Sequence, residues 1–469
     1  MLVGTCLTLT LGGCLLTDTP EPGLFIPARY DLSSANPKIA EAALPKIDWW
    51  RGFRSRELTD IVEQSLDANL DIAAAIARIV QADAQSRIAG APLLPGVSLG
   101  ADASRSRASR SVSATARDTN TLSASLTASY ELDFWGKNRA SLRSAEQSAV
   151  AARYDREVVA LSTVASAANA YFQLLAAQDR LAAARDNLAS ANRVLDLIKQ
   201  RVNAGTASDL ELAQQESVVN TQRATIPPLM QTITQNKNTL AVLMGRSPES
   251  VRVRGGSLRT IAAPRVTPGL PSELLAQRPD IRYAEANLAA ANANVEVARA
   301  NMLPSISLTA EGGVQAAALK TLLKPESTLY SAVAGLTQPI FDGGTLQGTL
   351  DQRKGIQDEL LQTYRKAVIS AFSDVETALD AVRQTAQTER LQTEVVASSR
   401  RAFDISERRL REGTTDLVTV LQTQQTLFSA QDSLTQARLS YIQAIVSLYQ
   451  ALGGGWAPKP QIAEAPDAR

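Results

Sequence analysis

The sequence predicts an α+β membrane protein made from one structural unit used twice, each copy supplying two β-strands and a long α-helical hairpin. Three observations predict it. The chain resembles itself at a fixed offset, short segments alternate apolar with polar residues, and those segments give way to proline-free heptad stretches.

The repeat comes first because it organises the rest. Sliding the chain by 209 positions lays Leu66–Ala101 on Leu275–Ala310 without a gap, and 14 of the 36 pairs are identical. Alanine matches in an alanine-rich chain carry little weight. Asp71/Asp280, Ile72/Ile281, Leu94/Leu303, Pro95/Pro304, Ser98/Ser307 and Leu99/Leu308 carry more. At an offset of 208, Arg201-x-x-x-Gly205-Thr206 meets Arg409-x-x-x-Gly413-Thr414, and Gly245 meets Gly453. The expected organisation is a signal peptide over 1–13, a lipid-anchored extension over 14–50 and a first repeat over 51–255. A linker over 256–271, a second repeat over 272–455 and a disordered tail over 456–469 complete it.

Each repeat opens with a helix, about Arg56–Gly90 and then Ser272–Met302, closed by Pro95 or Pro304. Strands follow. Leu122, Ala124, Leu126, Ala128, Tyr130, Leu132 and Phe134 alternate with polar residues, the period of a strand with one apolar face. Val97 to Ala103, Ile306 to Ala310 and Tyr330 to Leu336 repeat the pattern. Strands of this length cross a bilayer when tilted, and Tyr130, Phe134, Trp135, Tyr330 and Phe341 stand at strand ends as membrane-interface aromatics do. A soluble β-sandwich face shows the same alternation. Four strands are too few to close a barrel, so they form a small sheet or several chains pool them.

The period then changes. Between Lys137 and Asn203, Leu174, Leu181, Leu188, Leu195 and Val202 recur every seven residues, with Ala177, Ala184, Ala191 and Ile198 three places on. Val396, Phe403, Leu410 and Leu417 form a similar seam in the second half. A helix over this stretch spans about 100 Å, too long for a compact core. Each long helix ends at a Gly-Thr turn and returns toward Gly245 or Gly453. Pro227-Pro228 interrupts the first return helix and predicts a joint between two shorter helices.

Composition narrows function by exclusion. The chain has no histidine, which removes a Ser–His–Asp triad, a Cys–His pair and an imidazole zinc site. Paired-carboxylate and Ser–Lys chemistry stay open by inventory, but no motif points to them, and no enzyme activity, metal or cofactor is expected. A net charge of +1 without a basic, aromatic-rich run gives no reason to expect nucleic acid. Past the opening residues no run of 18 apolar residues exists, so no transmembrane helix is expected; a spanning chain must use a closed β-barrel. The apolar stretch from Met1 ends in Leu11-Gly12-Gly13-Cys14, which resembles a bacterial lipobox with Cys14 as the lipidated residue. An ordinary cysteine in a secretory signal is the alternative. The basic leader is missing, so the true start is expected upstream of Met1. Leu15 after the cysteine, by resemblance to lipoproteins, implies sorting to the outer membrane.

Asp48-Trp49-Trp50-Arg51-x-Phe53, Tyr130-Glu131-Leu132-Asp133-Phe134-Trp135-Gly136-Lys137 and Arg278-Pro279-Asp280-Ile281 are the first of several motifs read together. With them come Pro304-Ser305-Ile306-Ser307-Leu308-Thr309, Pro339-Ile340-Phe341-Asp342-x-Gly344 and Leu448-Tyr449-x-Ala451-Leu452-Gly453-Gly454-Gly455-Trp456. With these residues the chain resembles the outer-membrane factors of tripartite efflux systems, specifically their TolC-like, NodT-type lipoproteins, from Cys14 to Trp456. The resemblance implies a homotrimer with a twelve-stranded β-barrel, four strands per chain, and a periplasmic α-helical barrel closed at its tip. It also implies a periplasmic adaptor, an inner-membrane transporter of the resistance-nodulation-division type, and contact with outer-membrane lipids.

The implied adaptor-docking turns are Gly205, Thr206 and Ala207 with Gly413, Thr414 and Thr415; ordinary helix-hairpin turns are the bland alternative. Relatives carry a carboxylate after this turn where Gln422 stands here. The expected aperture is therefore formed by Val418, Thr419 and Gln422 with Asp416 at its rim, unless these side chains merely pack between helices. Arg105, Arg107, Arg110 and Arg117 bracket the first strand loop, as lipopolysaccharide contacts or, more simply, solvated charges. Two rival classes are a poreless periplasmic coiled coil and the efflux adaptor itself. Neither explains two copies of strand–helix–helix. Cargo leaves no trace in the sequence.

Overall fold

Proline-free, alanine-rich heptads and alternating strands dictate the order of elements seen in the computed structural model of the chain. It describes residues 23, 24, 26, 27, 46–107, 109, 111, 118–264 and 271–456. Cys14, the signal peptide, most of the extension, Arg110, Arg117 and the tail beyond Trp456 lie outside the described residues. The first copy runs α1 (Arg56–Ala68), α2 (Leu70–Gly90), β1 (Gly96–Arg107), β2 (Asp118–Leu132), α3 (Lys137–Asn203) and α4 (Asp209–Leu243). The second runs α5 (Pro271–Gln277), α6 (Pro279–Ala300), β3 (Ser305–Ala316), β4 (Thr328–Thr337), α7 (Thr345–Arg411) and α8 (Leu417–Ala451). The long helices α3 and α7 are both 67 residues, and the return helices α4 and α8 both 35.

The chain divides into two units, the first containing Ala77–Arg153 and Tyr283–Arg365. Its centre is one antiparallel sheet in the order β1-β2-β3-β4. Leu99 pairs with Leu126 across β1–β2, and Tyr130 with Leu308 across β2–β3, so the middle pairing joins the two copies. The outer edges of β1 and β4 have no strand beside them among the described residues. Open edges of 12 and 10 residues are templates for pairing with another chain. Below the sheet, Asp133 holds the start of α3: its carboxylate accepts from the amides of Asn138 (2.8 Å) and Arg139 (3.0 Å). Asp342 does the same for α7 through Gly344 (3.0 Å) and Leu346 (2.7 Å).

The second unit contains Phe25–Ile76, Tyr154–Arg282 and Lys366–Arg469. Its core explains why two sequence motifs are so distinctive. Trp49 stacks on Tyr449 with centroids 4.8 Å apart, and Phe53 meets Phe172 at 5.0 Å. Phe53 and Phe172 are fully buried, each contributing on the order of 2 kcal/mol. In the heptad seam of α3 the small positions do the close packing. Ala177, Ala184, Ala191 and Ile198 are all buried, whereas Leu181, Leu188 and Val202 are half-buried. Val194 and Ile198 of α3 pack with Phe403 and Leu410 of α7 and with Leu417, Val420, Leu427 and Phe428 of α8.

Two sequence expectations are corrected. The opening helix of each copy is broken in two, at Asn69 and at Arg278. The Asn69 side chain donates to Leu243 O (2.9 Å) and accepts from the amides of Asp71 and Ile72, capping α2. In the second copy Arg278, held by Asp280 and Asp374, donates to Ala451 O (3.3 Å), the same position 208 residues on. The expected joint at Pro227-Pro228 is absent, because α4 is assigned as one helix through both prolines. Both are exposed, as are Arg223 and Ala224, whose carbonyls lose their donors to solvent rather than to a buried void. Although it contains no unbroken run of 18 apolar residues, α3 is long and apolar enough by mean composition to cross a membrane. Its apolar residues, Val164 to Ala176, are the buried core of the second unit, so hydropathy here reports packing.

Candidate functional site

The two Gly-Thr turns are one structure made twice. Gly205 and Gly413 adopt φ of 68° and 71°, the left-handed conformation that ends a helix at low cost only for glycine. Thr206 N donates to Arg201 O (2.8 Å) and Thr414 N to Arg409 O (2.8 Å). Each threonine hydroxyl donates to that same carbonyl, at 3.1 and 3.2 Å. Each arginine reaches forward to the threonine carbonyl, at 3.3 and 3.4 Å. Arg201 and Arg409 are therefore struts of the turn, a role the shared R-x-x-x-G-T spacing signalled but did not explain. Gly205, Thr206, Gly413 and Thr414 are exposed, Ala207 and Thr415 half-exposed.

Beyond the turns the copies diverge. Helix α4 starts with a capping box, in which Glu211 N donates to Ser208 Oγ and Ser208 N to Glu211 Oε2 (2.7 Å). Asp416 stands at the equivalent position and caps α8 alone, accepting from Thr419 N at 2.7 Å. That amide holds the Asp416 carboxyl below its ordinary range. Val418, Thr419 and Gln422 lie on the exposed stripe of α8, opposite buried Leu417, Val420 and Gln424. Val418 is 60% exposed, and its first-copy counterpart Leu210 is 68% exposed, a residue the sequence reading passed over. The residues expected at the aperture thus share one face, with Asp416 at its head as the helix cap.

At the strand ends, Phe134 meets Trp135 edge-on at 4.7 Å, and the Trp135 indole donates to Pro304 O (2.7 Å). Trp135 is thus a strut between the copies as well as a surface aromatic. Tyr330 and Phe341 are almost wholly exposed, one at each end of β4, while Tyr130 is half-buried opposite Leu308. Arg105 and Arg107 both pair with Asp118 across the first hairpin, which neutralises part of the loop's charge.

The model of the outer membrane efflux protein family matches residues 61–246 and again 270–454. The chain belongs to that family. It is similar to the pyoverdine export outer membrane protein OpmQ of Pseudomonas putida, 41% identical over 457 residues and covering 96% of each chain. It is also similar to the toluene efflux pump outer membrane protein TtgF of Pseudomonas putida, 32% identical over 461 residues with 96% of each covered. Among solved structures it matches the Campylobacter jejuni outer membrane channel CmeC, with a TM-score of 0.88 and 25% identity, covering 94% of this chain and 95% of that one. This efflux protein is an outer-membrane exit channel that extends into the periplasm. It works as a trimer with a periplasmic adaptor and an inner-membrane transporter.

Proposed function

We propose that three copies of this efflux protein close one twelve-stranded barrel in the outer membrane and that α8 gates the duct at its periplasmic end. The open edges of β1 and β4 carry this reading, because four strands leave unpaired backbone that lipid does not tolerate. Pairing β4 of one copy with β1 of the next removes every edge. Val418, Thr419 and Gln422 form the narrowest ring, Asp416 sets the start of the helix that carries them, and the turns at Gly205–Ala207 and Gly413–Thr415 receive the adaptor. The duct is passive and carries no catalytic step. Pyoverdine and toluene, in the names of two relatives, share little chemistry, so the cargo is selected before it enters the duct. Cys14 carries the lipid anchor.

The decisive measurement is single-channel conductance of the purified trimer in planar bilayers. Val418→Ala and Gln422→Ala are expected to raise it, and unchanged conductance removes both from the gate. A trimer that dissociates to monomers in mild detergent removes the shared barrel. Metabolic labelling with palmitate, abolished by Cys14→Ser, tests the anchor.

A further inference from the structure

Five arginines surround one open cavity of about 780 Å³ in the second unit. Arg54 and Arg56 flank the start of α1, Arg246 follows α4, and Arg252 and Arg254 stand on the connection leaving the first copy. None of the five has an ion-pair partner among the described residues. Three other arginines of this unit are held in ion pairs: Arg180 with Asp432, Arg278 with Asp280 and Asp374, and Arg438 with Glu389. The five exposed guanidinium groups outnumber the carboxylates of the same cavity and give it a positive field that attracts an anion.

Two carboxylates also line the cavity, Glu57 and Asp60. Glu57 is already committed. It accepts from Arg254 N (2.6 Å), Gly255 N (3.1 Å) and the Tyr171 hydroxyl (3.1 Å). Those bonds fix the connection so that Val251 and Val253 turn inward while Arg252 and Arg254 stay exposed. Val251 is extended, at φ −100° and ψ 119°. Alternation along an extended chain puts the two guanidinium groups on one side, about 7 Å apart. The N-terminus of the 13-residue α1 adds its positive end to the same space.

We propose that this cavity is a docking site for an acidic, extended polypeptide segment of a partner protein. A compact anion engages two or three guanidinium forks, whereas these five come from three separate stretches around a broad opening. Carboxylates on alternate residues of an extended segment repeat at the spacing of Arg252 and Arg254. Ile61, Leu175 and Met244 supply an apolar floor for the segment's backbone and methylene groups. The site lies roughly 50 Å along α3 from the Gly205 turn, counted from Tyr171. It is therefore a second grip on a partner, separate from docking at the turns.

The test uses the purified full-length trimer and a fluorescein-labelled octaglutamate peptide, followed by anisotropy at low salt. Saturable binding is expected, weakened about tenfold or more by Arg252→Gln with Arg254→Gln and by raised salt. Because both arginines are exposed and unpaired, the thermal midpoint of the trimer is expected to stay unchanged in that variant. Arg105→Gln, on the strand hairpin, is expected to leave binding unchanged. Three outcomes overturn the proposal: no saturable binding, equal binding by the double variant, or displacement of the peptide by pyrophosphate at matched charge. A fourth also overturns it: if the wild type ignores the peptide and the double variant loses its trimer, a second copy of this chain occupies the cavity.

Discussion

A methyl group added at Gly245 is expected to loosen the break between α1 and α2 far more than the same change at Gly205. Both glycines have left-handed backbones, with φ of 63° and 68°. A Cβ on Gly245 falls 2.1 Å from Ala68 O and 3.1 Å from its carbonyl carbon, whereas one on Gly205 meets nothing within 4 Å. Gly205→Ala therefore costs only the left-handed conformation, about 1 kcal/mol. Gly245→Ala adds a clash with backbone that no side-chain rotation relieves, bringing the total to about 3 kcal/mol. Separation of Gly245 from Ala68 also strains the neighbouring bond from Asn69 to Leu243 O. Hydrogen exchange reads this locally: amides around Asn69 to Ile72 are expected to exchange roughly a hundredfold faster in Gly245→Ala. At its own turn Gly205→Ala is expected to change exchange by about tenfold or less. If the two variants open their surroundings equally, close approach to Ala68 is not what requires glycine there.

Gln424 is wholly buried with both amide atoms unpartnered among the described residues, so Gln424→Leu is expected to raise the stability of the α8 packing by about 1–3 kcal/mol, read as slower exchange; a loss of protection sinks this. Ile198→Ala, emptying a fully buried position between three helices, is expected to cost about 3 kcal/mol, while Arg180→Ala, which removes a half-exposed ion pair with Asp432, costs under about 1 kcal/mol. The reverse order, measured as exchange of flanking amides, refutes the packing argument. Asp416→Ala is expected to speed exchange at the start of α8 about fivefold at neutral pH. Because its folded carboxyl is lowered by the Thr419 amide, the cap is fully present above the ordinary carboxylate value. It fades as pH falls through the lowered one, so wild type and Asp416→Ala converge in acid.

Much of the architecture was legible because its signals are local and repeated. The start and end of α3, Lys137 and Asn203, follow from a stretch free of proline and glycine between Gly136 and Gly205. The strands follow from strict alternation, and the paired turns from R-x-x-x-G-T. The breaks at Asn69 and Arg278 were not legible, since each is made by a side chain reaching a carbonyl some 170 residues away, Leu243 or Ala451. The prolines misled for a related reason: the helix stays continuous past two missing donors, and the exposure that leaves the carbonyls of Arg223 and Ala224 open to solvent is a tertiary fact. At the turns, the sequence pointed to Asp416 but not to its bond with Thr419, and it passed over Leu210.

By itself the sequence determined that one unit is used twice, which segments are strands and long helices, and where each helix reverses. Those properties depend on residues close along the chain, on periods of two and seven and on glycines able to adopt positive φ. Only the tertiary structure decided that β2 of the first copy pairs with β3 of the second, and that Ala68 presses on Gly245. It also decided that five arginines from distant segments face one cavity. Such pairings depend on how far-apart pieces of chain are brought together, and no period or motif within one piece records the partner in another.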